Sequence, residues 1–271
     1  MNLKIEHKSH YSYSSEVFIE PQHFYFHPCY RPYISLKEFK IKVLPEPAGL
    51  AQRIDAEGNI YYQCWFNDPI TQMTVETLVS AKTHEFNPFD FLVEENPKND
   101  HIKSLLPFTE KVELSSEIKS WSEDIWSITS TDIITFMTML AREINSSWKH
   151  EANYDSQLVS PNECFVNKKG SCRDLAWFFI QVVRSYDLPA RFVSGYGYNP
   201  ELIGHELHAW AEVWVTGAGW IGVDPSSGLL TTHAYIPLAT SYHPSNTMPV
   251  QGSFRGEKND LLTTSVKIEA S

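Results

Sequence analysis

The chain has 271 residues, of which 42% are hydrophobic and 13% aromatic, enough to bury a core in one large domain or two ordinary ones. A net charge of −11, with no Lys/Arg cluster to track phosphates, speaks against a nucleic-acid binder, and the acidic balance is read as solubility. Met1 to Lys8 alternate apolar and charged residues, so neither a secretory leader nor a membrane span is expected to begin there, and a cytoplasmic location follows. Leu3/Ile5/His7 read as a first strand, Phe39/Ile41/Val43 as another, and Ile60/Tyr62/Cys64/Phe66 and Met73/Val75/Thr77/Val79 as two more. Asp55-Ala56-Glu57-Gly58-Asn59 makes a tight turn between two of them. The expectation is an α+β protein whose residues 1–92 form an N-terminal antiparallel β-sandwich.

Asn87-Pro88, the run from Glu94 to Asp100, and Pro107 interrupt regular structure, so residues 93–128 are expected to be a connector with short helices ahead of a second unit at 129–271. Ile133, Phe136/Met137, Leu140 and Ile144 recur at helical spacing, predicting a helix from about Asp132 to Trp148. A second helix is predicted from Cys172 through the apolar run Leu175 to Val183, ending before Asp187-Leu188-Pro189. Ser171 is a good N-cap for it, and Asp174 completes a capping-box pattern. Three strands follow, at 190–198, 207–215 and 220–224. In the middle one Leu207, Ala209, Ala211, Val213 and Val215 share one face, and His208, Trp210, Glu212 and Trp214 the other.

Cys172 thus falls in the first turn of a helix, where the partial positive charge of the N-terminus favours a thiolate. Thr216-Gly217-Ala218-Gly219 turns the middle strand back on the last. If Trp214 lies opposite Trp220, Asp224 lands diagonally beside His208; a slip of one residue would put the two on opposite faces. With that register, Cys172, His208 and Asp224 fit nucleophilic attack on an amide or ester carbonyl, with Cys172 as thiolate, His208 as acid and base, and Asp224 fixing the tautomer. The acyl group would pass through a thioester.

Four segments resemble, in order and spacing, the motifs of the transglutaminase-like superfamily, which shares a papain-like core: 170–174, 188–196, 208–214 and 219–226. The likeness extends to the bacterial transglutaminase-like proteins often labelled candidate cysteine proteases, through Leu3 to about Ala81 and from His233 onward. One departure is Thr240-Ser241-Tyr242-His243, where that group usually carries Gly-Arg-Asp-Tyr. The resemblance implies a thiol-dependent enzyme on peptide or protein amides, with hydrolysis ahead of cross-linking, and no cofactor, metal, nucleic acid or membrane. The rival reading is a non-catalytic binding or scaffold protein with an inert thiol.

The remaining candidates are weighed against plainer roles. Cys29, Cys64 and Cys164 form no C-x-x-C pair and read as small buried hydrophobes. His205 and His208 are three apart, on opposite faces of a strand, which argues against a shared metal and makes His205 a loop residue. Trp210 and Trp214 are core or cleft wall. Arg173 is a substrate contact or simply solvated, Asp174 is a cap, and Trp148, Asn153 and Tyr154 are candidates for a second oxyanion donor.

Overall fold

The computed structural model describes residues 1–92, 103–129, 132–151, 157–201, 205–256 and 260–271. In β1 (Asn2–Ile19) the alternation at the start of the chain becomes two faces, with Leu3, Ile5, His7 and Ser9 buried and Lys4, Glu6 and Lys8 in water. β6 (Ile70–Thr83) pairs antiparallel with it, Ile5 opposite Val79, and carries β3 (Ile34–Leu44) on its other side, Val43 opposite Val75. A second sheet joins β2 (Gln22–Phe24), β5 (Ile60–Trp65) and β4 (Gly49–Ile54). Leu3, Ile5, Val75 and Val79 of the first sheet share one core with Phe24 and Cys64 of the second, which is the antiparallel sandwich the sequence predicts.

The Asp55–Asn59 turn does more than reverse the chain. Gly58 takes φ +84°, and Asp55 Oδ1 accepts the N–H groups of Glu57 and Asn59, both at 2.9 Å. Asn59 is buried, accepts the Thr240 N–H at 2.8 Å and donates to the Thr240 carbonyl at 2.9 Å. A second polar joint lies nearby, where buried Glu212 is held by Arg31 at 2.8 Å and Arg191 at 2.6 Å. Burial pushes the Glu212 carboxyl up, but the two guanidiniums outweigh it and keep it below its ordinary value.

The second half begins with a 3-10 turn, Leu106–Thr109, and α1 (Ser116–Ile128); of the expected connector, residues 93–102 lie outside the described residues. α2 (Ile133–Ser147) starts where Asp132 accepts the Thr135 N–H at 2.6 Å, and buries Phe136, Met137, Leu140, Ala141 and Ile144. The short α3 (Pro161–Asn167) leads into α4 (Cys172–Ser185). These helices cover one face of an antiparallel sheet made of β9 (Ala190–Gly197), β10 (Leu207–Val215), β11 (Gly219–Asp224), β12 (Leu229–Leu230) and β13 (Tyr235–Ser241). Ala209, Ala211, Val213 and Val215 of β10 share one core with Phe178 and Phe179 of α4, so the apolar face of the strand turns toward the helices. Burying two phenylalanines there is worth roughly 1.5–3 kcal/mol each.

The other face of β10 turns toward the sandwich. Trp210 is fully buried, its ring 5.2 Å from that of Tyr235, and it fits because position 195, diagonal to it on β9, is glycine: a Cβ there would come within 2.7 Å of the indole. Trp214 meets Trp220 edge-on at 5.4 Å. The chain then returns to its beginning: β14 (Val250–Gln251) pairs with β2, and β15 (Phe254–Arg255) and β16 (Asp260–Ala270) pair with β1, Leu3 opposite Ala270. By hydrogen bonding, these last strands belong with the sandwich rather than with the rest of the expected unit 129–271. Alternating residues in a lone segment mark a strand without naming its partner, which here lies at the far end of the chain. Among the described residues no helix is long and apolar enough to cross a membrane.

Candidate active site

Ser171 caps α4 as its position suggests. Its Oγ accepts the Asp174 N–H at 3.4 Å, while Asp174 Oδ2 accepts the Ser171 N–H at 3.0 Å and the Ser171 hydroxyl at 2.7 Å. Asp174 is buried, and its Oδ1 accepts the Val159 N–H at 3.0 Å, so it ties the loop before α3 to the start of α4. Cys172 is the first residue of this helix, half-buried, with the N–H groups of the first turn lacking intrahelical acceptors.

β10 and β11 pair with Trp214 opposite Trp220, and Ala211 opposite Val223. This is the register that brings Asp224 beside His208, whose Nε2–H donates to Asp224 Oδ2 at 2.8 Å. The carboxylate accepts three further hydrogen bonds: from the Tyr235 hydroxyl at 2.8 Å, the Ser226 N–H at 2.9 Å and the Ser226 hydroxyl at 2.7 Å. Burial opposes its charge, but His208, Ser226 and Tyr235 outweigh burial and bring it to about 2. Burial also favours neutral His208, yet its bonds to Asp224 and Cys172 raise it to about 10. For Cys172, burial would lift the thiol; hydrogen bonds from His150 and His208 and the His208 charge bring it down to about 6. Between these limits the pair is thiolate and imidazolium.

Cys172 and His208 thus meet in one cleft of about 310 Å³, which His150, Phe192, Leu207, Met248, Leu262 and Val266 also line, while Asp224 is buried behind His208. His150 has no signal in the sequence: it follows a helix on a two-residue strand, where no periodicity exists to read. Tyr235 and Ser226 carry no sequence signal of their bonds to Asp224 either, although Ser226 lies in the same segment.

Other candidates find different places. Trp210 is core and absent from the cleft lining. The Trp148 indole N–H donates to the Cys164 carbonyl at 3.0 Å, so it is committed away from the cleft, and Asn153 and Tyr154 lie outside the described residues. Arg173 lines the cleft and donates to the Gln157 carbonyl at 3.2 Å. His205 precedes β10, bridges to Val266 and stacks on Tyr198 with 5.7 Å between ring centres. Thr240 and Ser241, where the chain departs from the usual motif, are buried at the end of β13, and the cleft lining resumes only at Pro244. Cys64 and Cys164 are buried with thiols pushed up to about 12, and burial lifts Cys29 to about 11.

A cysteine at a helix start, faced by a histidine and an aspartate on an antiparallel sheet, defines a class of α+β proteins. Residues 119–225 match the transglutaminase-like superfamily and residues 3–81 the bacterial transglutaminase-like N-terminal region, so this chain carries a transglutaminase-like core behind a bacterial transglutaminase-like N-terminal region. A candidate cysteine protease from Cytophaga hutchinsonii has the same fold, with a TM-score of 0.74 at 17% identity over 99% of this chain and 90% of that one. Uncharacterized protein Rv2569c of Mycobacterium tuberculosis is 26% identical over 148 residues, which are 50% of this chain and 47% of that relative. The protein-glutamine gamma-glutamyltransferase of Pseudomonas aeruginosa is 37% identical over 70 residues, 23% of this chain and 10% of that one. The chain therefore matches about half the length of the Mycobacterium relative and much less of the transferase.

Proposed function

We propose that this protein is a thiol-dependent enzyme acting on peptide or protein amide bonds, with Cys172, His208 and Asp224 as its triad. The observation that carries the reading is the contact of His208 Nε2–H with Asp224 at 2.8 Å, in a cleft whose thiol is held at about 6. Cys172 Sγ⁻ attacks the carbonyl carbon, a C–S bond forms, and the π pair moves onto oxygen, which the helix N–H groups receive. As the tetrahedral species collapses, the C–N bond breaks and His208 gives its proton to the departing amine. A thioester remains. Water then loses a proton to His208 and attacks the thioester, the C–S bond breaks, and the carboxylic acid leaves and gives its proton to solvent, restoring the thiolate–imidazolium pair. Phe192, Leu207, Leu262 and Val266 favour an apolar side chain beside the scissile bond. Hydrolysis is placed ahead of transfer to an amine, in keeping with the name given to the Cytophaga neighbour.

The test uses p-nitrophenyl acetate as a minimal acyl donor. A burst of p-nitrophenol, with acetyl recovered on the Cys172 peptide and absent from Cys172→Ala, is the expected result. An added alkyl amine, with Cys172→Ala as the blank for uncatalysed aminolysis, separates the two fates, since hydrolysis yields acetate and transfer yields the N-acetyl amine. No burst and an unmodified Cys172 would overturn the reading and leave a scaffold with an inert thiol.

A further inference from the structure

Cys172 has a second imidazole partner. β7 (Lys149–His150) runs parallel to β8 (Lys169–Gly170), with His150 opposite Gly170, two residues before the nucleophile. The backbone on both sides is tied to the approach to α4: the Lys149 N–H donates to the Lys168 carbonyl at 2.8 Å and the Glu151 N–H to the Gly170 carbonyl at 3.0 Å. The flanking charges satisfy one another, since Glu151 pairs with Lys149 at 2.6 Å and Lys169 at 3.2 Å. The His150 side chain lines the cleft within hydrogen-bonding reach of Cys172.

We propose, building on the triad reading, that His150 is a further catalytic residue whose ring N–H steadies the Cys172 thiolate and then passes to the carbonyl oxygen as the tetrahedral intermediate forms. His208 cannot fill this place. One of its nitrogens is engaged by Asp224, and the other must carry the proton to the leaving amine. When the C–S bond forms, sulfur loses its charge and oxygen, two bonds away, gains it. A donor already facing the sulfur across the cleft needs only a small turn to follow that charge. The groups facing His150 are Cys172 from α4, His208 from β10 and Asp224 from β11, while His7, Arg173 and Glu206 line the rest of the cleft. The bond to Cys172 raises the His150 pKa above its ordinary value, against burial and the His208 charge, which enriches the cationic ring, a stronger donor than the neutral one.

Two reactions on the intact protein separate the roles. Iodoacetamide alkylates the thiolate by displacement at a saturated carbon, where no oxyanion arises; p-nitrophenyl acetate requires one. In His150→Phe the alkylation midpoint should rise from about 6 by about one to two pH units, the size of one hydrogen bond to a charged group. Acylation, corrected for the thiolate present, should fall by a further ~10²-fold. His150→Gln, which donates an N–H without titrating, should recover acylation to within about tenfold of wild type. A His150→Phe midpoint equal to that of wild type would overturn the thiolate role, and unchanged acylation per thiolate would overturn the oxyanion role. If wild type itself forms no acetyl-enzyme, the triad reading fails, while the alkylation midpoint still decides whether His150 holds the thiolate.

Discussion

α3 and α4 begin alike and treat their cysteines in opposite ways. Each has a serine N-cap and an acidic residue closing a complete capping box, Ser160 with Glu163 and Ser171 with Asp174. Each carries a cysteine near its start: Cys164 four residues past its cap and Cys172 one past. Cys164 is fully buried, its Sγ 3.6 Å from the Lys169 carbonyl, and burial followed by the Asp174 charge pushes its thiol up to about 12. Cys172 is brought to about 6 although burial acts on it in the same direction. The caps are alike, but Cys164 sits a full turn in, its N–H already bonded to the Ser160 carbonyl at 2.9 Å, while Cys172 stands in the first turn, so position at the helix start is one part of the gap between them. The rest comes from the imidazoles delivered by β7 and β10, and no comparable partner reaches Cys164 among the described residues.

The largest way to break this contrast is to remove each thiol in turn. Cys172→Ala should abolish neutral-pH alkylation and acetylation. Cys164→Ala should leave both intact while costing about 1–2 kcal/mol of stability through the cavity it opens, read by urea unfolding. Labelling that moves to Cys164, or that vanishes with it, would contradict the assignment. Next in size is Asp224→Asn. Wild-type acylation should follow a bell, falling below about 6 as the thiolate protonates and above about 10 as His208 loses the proton owed to the leaving group. Without the Asp224 charge the His208 pKa drops, so the basic limb moves toward neutrality and the plateau falls by about 10⁴-fold. An unmoved basic limb would mean that Asp224 does not set the His208 charge.

The parts of this site legible in the sequence are those whose cause is local. A serine followed three positions later by an acid marks a helix start, and alternation on 207–215 sorts His208 from the residues that meet α4. The glycine-rich turn at 216–219 marks the hairpin but leaves its register open, and the pairing of Trp214 with Trp220 settles it only in the fold. His150 escaped because its strand is two residues long, and its partner β8 is recognisable only after folding. Alternation puts Trp210 on the face of His208, but whether that face meets solvent or protein depends on Gly195 and Tyr235, from two other strands. The pairing of Leu3 with Ala270 spans nearly the whole chain, and no pattern within either strand specifies the other.

The smallest effect sharpens the comparison at the caps themselves. Ser160→Ala removes an exposed cap: Ser160 Oγ accepts the Glu163 N–H at 3.2 Å and donates to its carboxylate at 2.7 Å, with water ready to replace both. The cost should be about 0.5–1 kcal/mol, with no change in the alkylation profile. Ser171→Ala removes the same pair of bonds where both partners are buried, and Asp174 loses the hydroxyl that donates to it at 2.7 Å. A buried carboxylate short of a donor costs more, so the loss should reach about 2 kcal/mol. Because Asp174 also holds the Val159 N–H, α4 should loosen at its first turn, and the Cys172 alkylation midpoint should drift upward by a few tenths of a unit as the thiolate loses its fixed position against His150 and His208. Equal costs for the two serines, measured by urea unfolding, would show that the buried box adds nothing to the exposed one. The helix start would then be scaffolding for Cys172 without any part in its acidity.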